Sequence, residues 1–328
     1  MLHIQAYTIT ELAPYINWIY FFHAWGMPPR FATVTQVHDC PGCRGAWQAQ
    51  FPESDQAQAR EGIKLYAEAQ QMLRTLSSKN CRINSIVGLF PAWSDGDDVM
   101  VAANPDGTTP RRLCFLRQQQ VLQRNAPYLC LADFISPHRP PSDADIHVLP
   151  IGNVIGLFAT AAEISMEHLY DHDDFKRLLV QTLSDRLAEA AAERLHEQVR
   201  QTLWGYAPSE RFSCQELFSE KYQGRRPAIG YPSMPDQSFI FDFAKILPLE
   251  RIGITLTENG MMQPHAAVAG LMLGHPATRH FSIGTIDEAQ LCDYAKRRGL
   301  LPDDVRRYLV GNLKRSEERR VGKECRSR

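Results

Sequence analysis

The 328-residue sequence predicts an α+β fold built on an antiparallel sheet. Segments with strand-like and helix-like patterns do not alternate regularly along the chain, which disfavours a doubly wound parallel sheet. The turn sequence Asn104-Pro105-Asp106-Gly107 lies between strand-like runs and indicates a β-hairpin. Apolar residues recur every four positions over residues 174–203, which predicts a long helix with one buried stripe.

The N-terminal half is expected to contain one helix followed by the hairpin. Residues 55–76 carry apolar side chains at spacings of three and four, as an amphipathic helix does. The short apolar runs 85–92 and 98–103 are bounded by Gly, Pro and Asp and are typical of strands. Residues 112–116 are the expected returning strand of the hairpin.

The C-terminal half is expected to be more mixed. Residues 147–162 are strand-like, residues 174–203 form the strongest predicted helix, and a second helical piece follows Trp204-Gly205-Tyr206. Further strands are expected at residues 253–256, 267–273 and 279–283, and helices at residues 287–298 and 302–313.

Composition excludes several classes of function. The net charge of −1 argues against a nucleic-acid or anionic-membrane binder, which would need a surplus of Lys and Arg. No apolar run approaches the roughly 18 residues that a membrane helix needs, and no secretory signal is visible. We therefore expect a cytoplasmic protein with reduced cysteines.

One domain is expected over residues 1–314, with an insertion near residues 33–55. Residues 315–328 differ in composition from the rest of the chain and are expected to be a disordered or non-native tail. Fingerprints for dinucleotides, phosphate-binding loops, HExxH zinc sites and serine nucleophiles are all absent from the sequence.

Two places could hold a metal. Cys40-Pro41-Gly42-Cys43 is a CxxC sequence, and its favoured interpretation is a tight turn in a surface insertion. Metal binding with His38 as a third ligand, or dithiol exchange, are the alternatives. His168 and His172 lie beside several aspartates, for which stabilisation of a helix N-terminus is favoured over a metal site.

The most unusual segment is QGRRPAIGYPSMPDQ, residues 223–237, called the RPAIGY loop below. Its prolines stiffen an extended backbone, and Gly230 permits a bend or a close approach of a ligand. Arg226 offers a planar set of donors suited to a carboxylate, and Tyr231 offers a flat face for a ring. The loop could hold a small amphoteric ligand, or it could be a structural loop whose arginine pairs with a neighbouring acid.

Residues 226–231, RPAIGY, resemble the RxxxGY motif of the activation domain of cobalamin-dependent methionine synthase, which binds S-adenosylmethionine. Similar stretches occur in order at residues 11–26, 87–92, 116–119, 130–134, 184–189, 195–197, 204–208, 222–224, 256–258 and 275–276. The resemblance covers roughly residues 8–313. It implies a helmet-shaped α+β domain with a twisted antiparallel sheet and S-adenosylmethionine in a shallow groove.

In that family the domain supports reductive methylation of cob(II)alamin. The resemblance therefore implies S-adenosylmethionine as ligand, cobalamin only through a partner module, and flavodoxin or another reductase as electron donor. The chain would act as a monomeric stand-alone protein or as a fragment of a longer enzyme. A different hypothesis is a degenerate, non-catalytic homologue that serves as a scaffold for a corrinoid protein or flavoprotein.

The resemblance also implies roles for individual residues. Arg226 would hold the ligand carboxylate, the main chain of Pro227 and Ala228 would contact the ligand, and Tyr231, after Gly230, would line the pocket. Glu189 and Glu220 would lie near the sulfonium, and the alternative is that both are ordinary solvated carboxylates. Asp185 and Glu189 are candidates for partner contact.

Several positions depart from the family pattern. This chain has Asn17 where the family usually has Asp, and His280-Phe281 where it has a Tyr-Phe pair. Met234 and Gln237 replace the Cys and the His of the family's GYPxCPEH stretch. Asn17 can accept a hydrogen bond but lacks the charge that pairs with the ligand's amino group. Weakened or altered S-adenosylmethionine binding is therefore expected.

Overall fold

The computed structural model describes residues 1–103, 109–120, 126–141 and 144–314, and mixes helices with strands. The helices are α1 (Ile9–Leu12), α2 (Trp18–Ala24), α3 (Pro41–Gln48), α4 (Glu53–Ser78), α5 (Asp174–Gln198), α6 (Cys214–Phe218), α7 (Ile240–Ala244), α8 (Glu288–Arg298) and α9 (Pro302–Leu309). The strands are β1 (Leu2–Thr8), β2 (Arg82–Asp95), β3 (Asp98–Val101), β4 (Arg111–Cys114), β5 (Val154–Ala162), β6 (Thr255–Leu256), β7 (Met262–Gln263) and β8 (Ala267–Met272).

Strands pair in the order β4-β3-β2-β5-β8, with β1 also on β2, and β6 pairs with β7 separately. The long strand β2 pairs antiparallel with β1 through its first half, where Gly88 lies opposite Leu2. Its second half pairs antiparallel with β3, where Ala92 lies opposite Val101, and β3 pairs antiparallel with β4. These registers confirm the predicted α+β class and the hairpin, whose turn residues 104–107 lie outside the described residues.

Contacts within the chain divide it into two compact units. The first unit comprises Met1–Gly88, Leu157–Tyr222 and Leu247–Ala269. Its core joins residues of α1, α2, α4 and α5, among them Leu12, Phe21, Phe22, Leu76, Leu183 and Leu187. Helix α5 is buried around most of its circumference, so its buried surface is wider than the single apolar stripe that the sequence predicts.

The second unit comprises Leu89–Gly156, Gln223–Ile246 and Gly270–Arg328. One of its cores is formed by apolar residues of β4, α8, α9 and the segment just before α8, among them Cys114, Ile286, Leu291, Val305 and Leu309. Asp287 caps α8 by accepting a hydrogen bond from the Gln290 N–H, and the helix ends at Gly299 in the left-handed conformation. The single domain expected over residues 1–314 stays a prediction.

Most long predicted elements are confirmed. The helix expected at residues 55–76 is α4, and that at 174–203 is α5 followed by a π-helical turn, Val199–Leu203. The helices expected at 287–298 and 302–313 are α8 and α9, although α9 gives way to a 3-10 turn at Val310–Asn312.

Other local predictions are wrong. Residues 279–283 form no strand, because the Ile283 N–H donates to the Pro232 carbonyl and the Ser282 carbonyl accepts from the Gln118 side chain. The strand expected from residue 147 begins only at Val154, after a 3-10 turn. Cys40 to Cys43 is not a tight turn but the start of α3, with Cys40 as its N-cap.

Strand β1 was not predicted, because only Tyr7 of its seven residues is buried and the apolar pattern is weak. No helix among the described residues is both long and apolar enough to cross a membrane. The predicted tail at residues 315–328 lies outside the described residues.

Candidate functional site

The RPAIGY loop begins as an extra strand alongside the end of β8. Arg225 exchanges two main-chain hydrogen bonds with Leu273, each 2.9 Å between N and O. The Leu271 N–H donates to the Pro227 carbonyl at 2.9 Å. A trans peptide points its C=O and N–H in opposite directions, so the Ala228 N–H points away from β8. The pairing thus presents a main-chain donor on the side of the loop opposite the sheet.

Two consecutive turns fix the loop after Ala228. The Tyr231 N–H donates to the Ala228 carbonyl at 3.2 Å, and Gly230 has φ +86°, as the third residue of a type II turn requires. The Met234 N–H then donates to the Tyr231 carbonyl, and the Gly230 N–H donates to the Met234 carbonyl, each at 2.8 Å. Gly230 is needed here because other residues rarely adopt a positive φ.

A buried ion pair anchors the end of the loop. Asp236 and Arg298 are each 2% exposed, with 2.5 Å between Oδ2 and Nη1. The Tyr294 hydroxyl donates to the same carboxylate oxygen at 3.1 Å, and burial raises the pKa of Tyr294 well above its usual value. Because breaking a buried pair of this kind costs about 3–5 kcal/mol, the loop has a firm anchor.

The predicted ligand-contacting side chains of the second unit differ in exposure. Arg226 is half-buried, Tyr231 is 51% exposed and His280 is exposed. Phe281 packs against the apolar core of this unit, with its ring centroid 6.4 Å from that of Phe134. The hydrogen bond from Ile283 to Pro232 ties the segment that carries His280 and Phe281 to the RPAIGY loop.

The remaining predicted site residues belong to the first unit. Asn17 is the N-cap of α2, and its Oδ1 accepts from the Ile19 N–H at 3.2 Å. This hydrogen bond gives Asn17 a structural role in addition to the ligand contact that the family resemblance implies.

Glu220 adopts a left-handed backbone, φ +51°, just past Ser219, which is the C-cap of α6. Its N–H donates to the Leu217 carbonyl and the Lys221 N–H donates to the Glu216 carbonyl, which is the Schellman pattern. Glycine is the usual residue at this position, and a side chain there costs about 1–2 kcal/mol. A strained glutamate is the kind of feature found at functional sites.

Asp185 and Glu189 lie four residues apart on α5, and both are half-buried rather than solvated. Burial is the main cause that raises the pKa of Asp185, and the neighbouring carboxylates of Glu189 and Glu167 add to it. Arg186 and His265 act in the opposite direction. A carboxylate kept in such surroundings is a candidate for a functional role.

The metal alternative at His168 and His172 finds no support. Asp173 caps α5 by accepting from the Lys176 N–H at 3.1 Å, as the favoured interpretation expects. Among residues 1–103, 109–120, 126–141 and 144–314, the side chains grouped closely enough to share a metal ion are His38, Cys40 and Cys43.

The anchor formed by Asp236 and Arg298 was not predicted from the sequence. These residues are 62 positions apart and neither carries a local signal of pairing. The left-handed backbone of Glu220 was also missed, because no glycine marks the end of α6.

Comparison with known proteins identifies the relatives of this chain. Residues 8–299 match the family described as vitamin B12 dependent methionine synthase, activation domain. A crystal structure of the MetH reactivation domain bound to AdoHcy shares 32% sequence identity with the chain and has a TM-score of 0.79. The match covers 96% of this chain and 91% of that chain, and it confirms the fold that the resemblance implied.

Proposed function

Because the chain belongs to the family of vitamin B12-dependent methionine synthase activation domains, we propose that it binds S-adenosylmethionine on residues 226–231 of the RPAIGY loop. We further propose that it supports reductive methylation of cob(II)alamin held by a separate cobalamin module. The observation that carries the proposal is the loop itself, a rigid double turn bearing the motif Arg226, Gly230 and Tyr231. The similar domain bound to AdoHcy supports it, because AdoHcy is S-adenosylmethionine without the transferred methyl group.

The loop offers complementary groups for each part of this ligand. The guanidinium of Arg226 can match a carboxylate with two parallel hydrogen bonds. Because the residue is half-buried, its charge is screened less than that of a fully exposed arginine. The Ala228 N–H, which points away from β8, is a main-chain donor for a polar edge of the ligand. The exposed ring of Tyr231 supplies a face for stacking.

The proposed reaction requires positioning more than acid or base catalysis. One electron from flavodoxin or another reductase and the methyl group of S-adenosylmethionine convert cob(II)alamin to methylcobalamin and leave AdoHcy. In-line displacement at a sulfonium depends on holding the methyl group along the line of attack. A loop fixed by two turns and a buried anchor is suited to that task, since it loses little entropy on binding.

The roles of Glu189 and Glu220 near the sulfonium, and of Asp185 and Glu189 in partner contact, stay predictions. All three residues are half-buried, which supports these roles because a negative charge attracts a cation more strongly where water is partly excluded. Asn17 in place of the usual Asp, and His280 with Phe281 in place of Tyr-Phe, predict weaker binding than the family norm.

Calorimetric titration of S-adenosylmethionine into the chain tests the ligand. Arg226→Ala should weaken binding at least tenfold, since a hydrogen bond to a charged group contributes about 1.5–3 kcal/mol. Arg225→Ala is the matched control, because Arg225 bonds Leu273 through its main chain and its side chain donates to the Gly224 carbonyl. Equal affinity in Arg226→Ala and wild type, with both folded by circular dichroism, contradicts the proposed site.

The reactivation role needs its own experiment. A cobalamin module loaded with cob(II)alamin is mixed with reductant and S-adenosylmethionine, and methylcobalamin is followed by its visible absorption. Methylation that requires the wild-type chain and fails with Arg226→Ala supports the role. A complex with the module, formed without any S-adenosylmethionine binding, favours the scaffold hypothesis, to which the substitutions at Asn17 and His280 point.

A further inference from the structure

His38, Cys40 and Cys43 form a compact cluster at the start of α3. One potential ligand atom from each side chain lies within 4.8 Å of the other two. His38 and Cys43 are exposed and Cys40 is half-buried, so an ion can enter from solvent. None of these residues takes part in the function proposed above, and all belong to the first unit.

Local hydrogen bonds set the geometry of the cluster. The Cys40 N–H donates to the His38 carbonyl at 2.8 Å, which folds the chain tightly around Asp39. Cys40 then caps α3, its Sγ accepting from the Cys43 N–H at 3.3 Å, with Pro41 in the first helical position. Both thiols are thereby held on the first turn of one helix.

The separation suits a tetrahedral ion. With Zn–S of about 2.3 Å and Zn–N of about 2.0–2.1 Å, tetrahedral ligand atoms lie about 3.6–3.8 Å apart. The ligand atoms of the cluster are at most 4.8 Å apart, so side-chain rotations that move them by roughly 1 Å would bring them to these distances.

Helix α3 is a firm support for the cluster. Trp47 on this helix is buried, packs edge-on against Phe51 with ring centroids 4.8 Å apart, and donates from Nε1 to the Thr33 hydroxyl at 3.0 Å. Ligands on a packed helix are positioned more accurately than ligands on a mobile loop.

We propose that His38, Cys40 and Cys43 bind a thiophilic divalent cation of the Zn²⁺ type, with the fourth coordination position open to water or an external ligand. Two sulfurs and one imidazole select such an ion over Mg²⁺ or Ca²⁺, which prefer oxygen ligands. The nearest carboxylate along the chain, that of Asp39, is 83% exposed and pairs with Arg44 at 2.7 Å. Three protein ligands and an open position distinguish this site from a closed structural zinc site.

Titration of the reduced chain with Co²⁺ under anaerobic conditions tests the proposal, followed by displacement with Zn²⁺. The wild type should bind one equivalent of Co²⁺ with a thiolate-to-cobalt charge-transfer band and the visible bands of tetrahedral cobalt. Cys43→Ser should weaken binding at least tenfold and lose about half of the charge-transfer intensity, since one of two thiolates is gone. Cys292→Ser, which changes an exposed cysteine of α8, is the matched control and should match wild type.

His38→Ala supplies a second test at an exposed position, where the substitution leaves the fold intact. It should weaken Co²⁺ binding at least tenfold while keeping the charge-transfer band of the bound form. Added imidazole should shift the visible bands of the wild-type complex if the fourth position is open. Absence of a charge-transfer band in the wild type, or equal Co²⁺ affinity in wild type, Cys43→Ser and His38→Ala, overturns the proposal.

Discussion

Gly230→Ala tests whether the double turn of the RPAIGY loop prepares the ligand site. Gly230 has φ +86°, and a Cβ built there would lie 3.5 Å from Cγ and 3.6 Å from Nε2 of Gln237, which is ordinary van der Waals contact. Backbone strain therefore sets the cost of the substitution, not a clash. An alanine in a left-handed conformation costs about 1–2 kcal/mol.

Relief of this strain requires a change in φ, which would rotate the turn and displace Tyr231 and the Ala228 N–H. We expect S-adenosylmethionine affinity to fall at least tenfold, and the melting temperature to fall by a few degrees. Calorimetric titration measures the affinity, and a scanning calorimeter measures the melting temperature.

Gly253→Ala is the matched control for this prediction. Gly253 has φ +82°, and a Cβ there would meet no atom within 4 Å, so the substitution carries the same strain without any contact. It follows the 3-10 turn Leu249–Ile252, which has no predicted ligand residue. Gly253→Ala should lower stability by a similar amount and leave affinity unchanged. Unchanged affinity in Gly230→Ala, or an equal loss in both variants, would refute the argument that this turn positions the ligand.

Three further predictions concern the carboxylates and Asn17 of the first unit. Asn17→Asp should keep the cap on α2, since Asp and Asn cap equally well, and should raise S-adenosylmethionine affinity severalfold in calorimetry if the family's carboxylate is restored. Glu220→Gly should melt at or above the wild-type temperature, because about 1 kcal/mol of backbone strain is relieved, yet it should bind S-adenosylmethionine more weakly. Asn80→Gly is the control and should leave this affinity unchanged, since Asn80 has φ +57° in the same Schellman pattern at the end of α4. Asp185→Asn should raise the melting temperature at pH 7, because the raised pKa means that the folded state holds its proton more tightly than the unfolded chain. That advantage should shrink as the pH falls through the raised folded-state pKa and vanish only below the unfolded-state pKa of about 3.9, at about pH 3, where wild-type Asp185 is protonated in both states. A constant advantage between pH 7 and about pH 3 would contradict the assigned cause.

The long helices were predictable because their signals are local. The apolar spacing within α4 and α5, and the cap of α8 by Asp287, depend on residues a few positions apart. Weak local signals misled the prediction elsewhere. Residues 279–283 have the composition of a strand. Their main-chain groups, however, form hydrogen bonds with the Pro232 carbonyl of the RPAIGY loop and with the Gln118 side chain, not with a neighbouring strand. The four-residue spacing of apolar residues in α5 likewise did not indicate that the helix is buried on most sides.

The family and the contiguous motif of the RPAIGY loop were evident from the sequence, because Arg226, Gly230 and Tyr231 are close neighbours along the chain. The contacts that hold this motif became visible only in the folded chain: the main-chain pairing of Arg225 with Leu273 and the buried ion pair of Asp236 with Arg298. Tertiary packing also decided that Asp185 and Glu189 are half-buried. Turn and helix preferences arise from neighbouring residues, whereas burial and long-range pairing depend on which distant segments the fold brings together.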